Sequence, residues 1–133
     1  MIFVASAGNN GADPSPQPFY PAALPHVIGI GALDHNRLPA DFSNKTSAKA
    51  WALGVNVVSA FHRGWLHAPP YQDTEYTSGL AQWSSTSFST PRVTGVLSEY
   101  VAGAKQRTTW SGALDWLAHQ PFPHDDTGSP LVP

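Results

Sequence analysis

The chain has no cysteine, so it can build neither a disulfide framework nor a thiolate metal site. That absence does not decide a compartment, because many secreted proteins also lack disulfides. Charge is sparse too. Seven basic and nine acidic residues leave a formal net charge of -2, and no basic block stands out. This argues against nucleic acid or an anionic membrane as the main partner. No run is long and apolar enough to cross a bilayer, and no basic-then-apolar leader is present. Internal repeats are absent. The six histidines, His26, His35, His62, His67, His119 and His124, are scattered without ligand spacing. The expectation is therefore no metal and no cofactor.

What is there fits one domain of modest size. The 133 residues are enough to bury a core, and 13 prolines with 11 glycines announce many turns. Met1 to Ala5 reads as a buried strand, and it runs into the turn signal Gly8-Asn9-Asn10-Gly11. Asp13 to Pro18 is a proline-rich surface loop. Val27 to Leu33 alternates branched and small residues, as a buried strand with close neighbours does. From Asn36 to Ala60 the chain reads as short strands and turns. Residues 61–82 read as an irregular loop and hairpin that bring Ser87 to the surface. Thr109 to His119 is a short amphipathic helix with Thr109 or Ser111 as its cap.

The stretch that organises the rest is Trp83-Ser84-Ser85-Thr86-Ser87-Phe88-Ser89-Thr90-Pro91-Arg92-Val93-Thr94-Gly95. Behind it Val93, Val96, Leu97, Tyr100, Val101 and Ala104 recur at helical spacing. Pro91 has no N–H to give to the carbonyl of Ser87, so the helix is expected to start near Ser87. Two readings of that serine stand side by side. Thr86 or Ser87 can simply cap the helix. Alternatively, Ser87 is a nucleophile placed where unpaired backbone N–H groups can stabilise an oxyanion.

Thr86-Ser87-Phe88-Ser89-Thr90-Pro91 with Val93 and Gly95 resembles the nucleophile segment of the subtilisin-like serine peptidases. Gly8-Asn9-Asn10-Gly11 after a run of small residues is similar to that family's oxyanion segment. Tyr20-Pro21 through Ala32, Asp41-Phe42-Ser43-Asn44 and Ala52 to Ala60 resemble further family blocks in the family's order. The resemblance covers roughly residues 2–118. It implies an α/β fold: part of a subtilisin-like domain, mostly parallel sheet, with the nucleophile-bearing helix packed on it. Residues 1–120 would form the C-terminal part of a catalytic domain. Residues 121–133 would be a proline-rich tail or a terminal strand.

The same resemblance implies roles. Ser87 would be the nucleophile and Asn9 the oxyanion donor, with a neutral amide that does not titrate. Ala5, Ser6, Ala7 and Gly8 would wall the pocket for the residue preceding the scissile bond, and Phe19 would narrow its floor. Tyr20–Pro21 would be a cis peptide. Lys49 falls near the place where the family can hold a monovalent cation, so its own charge would fill that role. The substrate would be a polypeptide, and the family's location is mostly secreted or extracellular.

There are departures. Ser85 stands where the family has glycine, and Leu53 where it has proline. More importantly, the family's catalytic aspartate and histidine segments have no counterpart here. Asp126-Thr127-Gly128 lies near the C-terminus and reads as a polar turn; His26 reads as an ordinary loop residue. A serine without a general base is a poor nucleophile. The expectation is a serine endopeptidase portion, inactive alone and in need of a complementing N-terminal fragment that supplies Asp and His. The alternative is a non-catalytic remnant or interaction module on the same scaffold. The sedolisin-type peptidases, which use an aspartate for the oxyanion, fit Gly8-Asn9 less well.

Overall fold

The computed structural model of the protein describes residues 1–67, 73–104 and 108–133. Four parallel strands form the central sheet in the order β1-β2-β3-β8. They are β1 (Phe3–Ser6), β2 (Val27–Leu33), β3 (Ala50–Leu53) and β8 (Leu131–Val132). Two antiparallel ribbons stand beside it. One pairs β4 (Val57–Ala60) with β7 (Leu80–Trp83), the other β5 (Gly64–Leu66) with β6 (Thr74–Tyr76). Helices α1 (Thr86–Gly103) and α2 (Trp110–Ala118) complete the fold. The architecture is thus α/β with a mostly parallel central sheet, as expected from the sequence.

Strand β2 is the axis of the core, with all seven residues buried. Because strand side chains alternate, Ile28 and Ile30 face one side, where Val93 and Leu97 of α1 and Ala113 and Leu117 of α2 join them. The opposite side carries Gly29 and Gly31. A Cβ on Gly31 would lie 2.2 Å from the Trp51 ring, and one on Gly29 would lie 1.9 Å from the Ser47 carbonyl oxygen. The small residues of the alternating pattern therefore make room for an indole and a loop backbone, which buries the strand on both faces.

Strand β1 differs from the sequence reading. Among the described residues it pairs only with β2, and Phe3 is 56% exposed. An apolar run signals a face that packs, but not how many neighbours the strand has. The tail contributes β8, whose Leu131 and Val132 pair in parallel with Trp51 and Ala52.

Helix α1 begins one residue before the expected point. Ser85, not Thr86 or Ser87, is its N-cap, with an extended backbone (φ -172°, ψ 154°) and a hydroxyl that accepts from Ser87 N. Pro91 lies within the first two turns, where its missing N–H leaves only the Ser87 carbonyl without that partner. Val93 and Leu97 are buried as the period predicts, but Val101 is 48% exposed. The first turn instead buries Thr86 and Ser89. Of the two caps considered for α2, Thr109 is the one used, accepting from Gly112 N at 3.1 Å.

Candidate active site

The site forms where β1 ends and α1 begins. After β1, Ala7 N donates to the Ile30 carbonyl (2.8 Å), and the chain turns at Gly8 with φ +102°. That glycine is required twice, since a Cβ there would also lie 2.5 Å from Phe19 Cγ. The turn is braced from the loop that follows β2. Asn44 N donates to the Gly8 carbonyl (3.0 Å), Gly11 N to the Phe42 carbonyl (2.8 Å), and Asn44 Nδ2 to Asn10 Oδ1 (2.8 Å). Asn44 is fully buried. Its Oδ1 accepts from Thr46 N and Oγ1 and from Ser47 N. A buried amide with this many partners holds its geometry firmly.

Asn9 then reaches across to α1, 76 or 77 residues away in sequence. Its Oδ1 accepts from Thr86 N (3.0 Å) and Thr86 Oγ1 (2.9 Å), and its Nδ2 donates to Ser85 Oγ (2.9 Å). The two bonds from Thr86 fix which end of the amide is oxygen, because a flipped amide would oppose the Thr86 N–H with its own NH₂. Ser85 Oγ also receives the Ser87 amide N–H at 3.1 Å. Two N–H donors from distant segments thus converge on one oxygen atom beside the exposed Ser87.

The wall residues named from sequence divide into two groups. Ala5 and Ser6 line the same cavity as Ser87, together with Val4, Thr90, Pro91 and Thr94; its volume is about 560 Å³. Ala7 and Gly8 are buried, with the Phe19 ring lying against Gly8. Phe19 is itself anchored through its N–H to Ser47 Oγ (2.8 Å). Two residues that matter here were assigned no such part. Ser85 is the common acceptor, and Thr86 orients the Asn9 amide. The signal for Ser85 was its replacement of glycine; nothing local marks Thr86.

Among the described residues, no histidine or carboxylate bonds to Ser87. Among the described residues, the histidine–carboxylate pairs are His67 with Asp73 (2.8 Å) and His119 with Asp115 (3.5 Å), and neither touches Ser87. His26 is exposed and packs its ring 5.2 Å from that of Trp110. Also among the described residues, no three histidine, cysteine or acidic side chains gather as metal ligands.

Two supports lie further out. The Tyr20–Pro21 peptide is cis, and the loop after it is tied by Lys49. The ammonium donates to the carbonyls of Ala22 (3.2 Å), Leu24 (2.8 Å) and Val27 (2.6 Å). Partial burial pushes the Lys49 amine below its ordinary pKa. At the tail, Asp125 rather than Asp126 organises the turn. Its carboxylate accepts from Thr127 N and Oγ1, from Ser129 N, and from Trp51 Nε1 at 2.7 Å. Burial alone would raise its pKa, but these bonds to the charged form outweigh it and lower the pKa.

The turn after β1 and the first turn of α1 thus bring the Asn9 amide into hydrogen-bond contact with Ser85 and Thr86, beside Ser87, at one end of a parallel α/β sheet. The chain belongs to the subtilase family, whose sequence model matches residues 1–120. It is 38% identical to Subtilisin-like protease 2 of Pseudogymnoascus destructans over 104 residues, which is 77% of this chain and 22% of that protein. It is 34% identical to Subtilisin DY of Bacillus licheniformis over 106 residues, 75% of this chain and 34% of that protein. The chain thus spans about a third or less of the length of these two relatives. No described helix is long and apolar enough to cross a membrane.

Proposed function

We propose that this chain carries the nucleophile and oxyanion-binding portion of a serine endopeptidase of the subtilisin class. Ser87 Oγ adds to the carbonyl carbon of a peptide bond while its proton passes to an imidazole outside these residues. The Asn9 amide and the Ser87 N–H hold the carbonyl oxygen as it becomes negative. The C–N bond then breaks, the imidazolium proton leaves with the amine, and water releases the acyl group from Ser87. The carrying observation is that Asn9 Nδ2 and Ser87 N aim at one oxygen position, 2.9 and 3.1 Å away, next to an exposed serine. Aimed donors that need no rearrangement during reaction are what oxyanion stabilisation requires.

Substrates are polypeptides. The residue before the scissile bond lies along Ala5, Ser6, Ala7 and Gly8, with Phe19 at the floor. Histidine and aspartate come from a complementing N-terminal portion, which docks at the open edge of β1 and the adjoining Ser87 cavity. Alone, this chain hydrolyses peptides little or not at all. In keeping with its family the protein works outside the cell. Lys49 serves its loop as a bound cation would, through three carbonyl contacts.

The test is labelling by a fluorophosphonate, with the chain alone and with an N-terminal portion of a subtilase added in trans. Labelling confined to Ser87, and strengthened by the added portion, is the expected result. Robust serine-inhibitor-sensitive hydrolysis by the chain alone would remove the need for a partner. A second reading, a non-catalytic remnant, draws on the Ser85 hydroxyl, which stands among the donors that a substrate would use. It predicts no labelling of Ser87 under either condition.

A further inference from the structure

We propose that the Ser85 hydroxyl is a built-in occupant of the oxyanion site, which a substrate must displace before Ser87 can react. The proposal rests on the reading of Ser87 and Asn9 given above. Ser85 Oγ accepts from Asn9 Nδ2 at 2.9 Å and from Ser87 N at 3.1 Å. These are the two donors assigned to the substrate's carbonyl oxygen, and in the folded chain each is spent on Ser85. The arrangement is held from behind. The bonds of Thr86 N and Oγ1 to Asn9 Oδ1 keep the NH₂ end turned toward Ser85, and Thr86 is 1% exposed.

Ser85 is half-buried, and its extended backbone is open to any residue. The hydroxyl can therefore swing away by rotation about one side-chain bond, with no backbone movement. The competition has a direction. A neutral hydroxyl oxygen accepts these bonds less strongly than an anionic oxygen does. A ground-state carbonyl gains little by replacing Ser85 Oγ, whereas a tetrahedral oxyanion gains much. Ser85 thus acts on reactivity through Asn9 and Ser87 and is a positioning residue. It lowers occupancy of the site by unreacted carbonyls.

The decisive variants of the full chain are Ser85→Gly and Ser85→Thr. Glycine removes the hydroxyl and remains an acceptable helix cap; threonine keeps both the oxygen and the cap. The first measurement needs no chemistry at Ser87. By ¹H–¹⁵N NMR, Ser85→Gly should speed exchange of the Asn9 side-chain and Ser87 backbone amide protons about tenfold, the scale of one lost hydrogen bond. Ser85→Thr should stay near the unmodified chain. The second measurement, made with an N-terminal portion of a subtilase added in trans, is affinity for a short peptide boronic acid, whose serine adduct places an anionic oxygen in the same position. Ser85→Gly should bind it about tenfold more tightly, since two donors no longer need to be taken from a neutral acceptor. Ser87→Ala should abolish that adduct.

Amide protons unchanged by Ser85→Gly would overturn the proposal alone. So would a boronate affinity unchanged by Ser85→Gly but lost in Ser87→Ala. Boronate binding indifferent to Ser87→Ala in every background would sink the nucleophile reading, and this proposal with it.

Discussion

The two helices begin in the same way and end up with different chemistry. Each starts on a hydroxyl residue in extended conformation, Ser85 for α1 and Thr109 for α2, and each hydroxyl accepts a backbone N–H from the first turn. At α2 the only further partner among the described residues is the neighbouring Ser111 hydroxyl, at 3.2 Å. At α1 the cap also receives an amide from Asn9, and Thr86 takes the other end of that amide. Both termini offer unpaired N–H groups and a positive dipole end. Among the described residues, only the α1 terminus is reached by a side-chain donor from a distant segment, the turn after β1. Helix capping is local chemistry; an oxyanion site is capping plus a second segment delivered by the sheet.

The comparison can be broken most forcefully at the glycines beneath the two termini. A Cβ on Gly54 would lie 2.2 Å from Ser89 Oγ and 2.8 Å from both Ala32 Cβ and the Ser85 carbonyl oxygen. Ser89 can rotate, but the other two cannot. Gly54→Ala should therefore cost about 3 kcal/mol, at the upper end for overpacking, and should weaken the Asn9 contact as well. At α2, a Cβ on Gly112 meets the Tyr100 hydroxyl at 2.8 Å, the far end of a half-buried side chain that can give way. Gly112→Ala should cost less than Gly54→Ala in urea unfolding. Equal costs would mean that α1 is no more tightly fitted than α2.

Asn9→Ala comes next. It strands the buried Thr86 hydroxyl, which should cost about 2 kcal/mol as an unsatisfied polar group. The matching change Ser111→Ala, at an exposed residue, should be near neutral by thermal unfolding. Thr109→Ala removes the cap of α2 and should cost about 1 kcal/mol. Ser85→Gly should cost only a few tenths of that, although it releases the amide of Asn9. A large destabilisation by Ser85→Gly would show that the hydroxyl serves α1 chiefly as a structural cap.

The smallest effect is in acid. Asp125 has its pKa lowered in the folded chain from an ordinary value of 3.8. Its contribution is thus present above pH 3.8 and is lost as pH falls through the lower folded value. The indole N–H of Trp51, bonded to Asp125 Oδ2, should exchange faster only in that window. Asp125→Asn should remove this acid dependence while the Asn9 and Ser85 amide signals stay as they were. A Trp51 response near neutral pH would contradict the assignment.

Much of the scaffold was legible in the residues. The spacing of Val93 and Leu97 placed α1, the alternation from Val27 to Leu33 placed β2, and Pro91 bounded the helix start. Local rules misplaced the cap by one or two residues because Ser85, Thr86 and Ser87 are all good capping types, and Asn9 decides among their roles from outside. They read Met1 to Ala5 as buried because hydrophobicity reports a packing face, not the number of strand neighbours. They also overextended the apolar face of α1 to Val101, which nothing covers fully. The loop and hairpin expected at 61–82 include the β5–β6 ribbon and the start of β7, and the Phe61 and Tyr76 rings there lie 4.6 Å apart. Residues 68–72 within it lie outside the described part of the chain.

The order of residue types settled on its own that this is a subtilase scaffold with a serine at a helix start and an asparagine after a strand. Periodicity and turn chemistry are short-range, and a linear string records them directly. Only folding decided that the Ser85 oxygen would stand between those two groups, because that contact joins residues 76 positions apart. It depends on how the sheet register and the turn at Gly8 set two segments against each other, which no local pattern encodes.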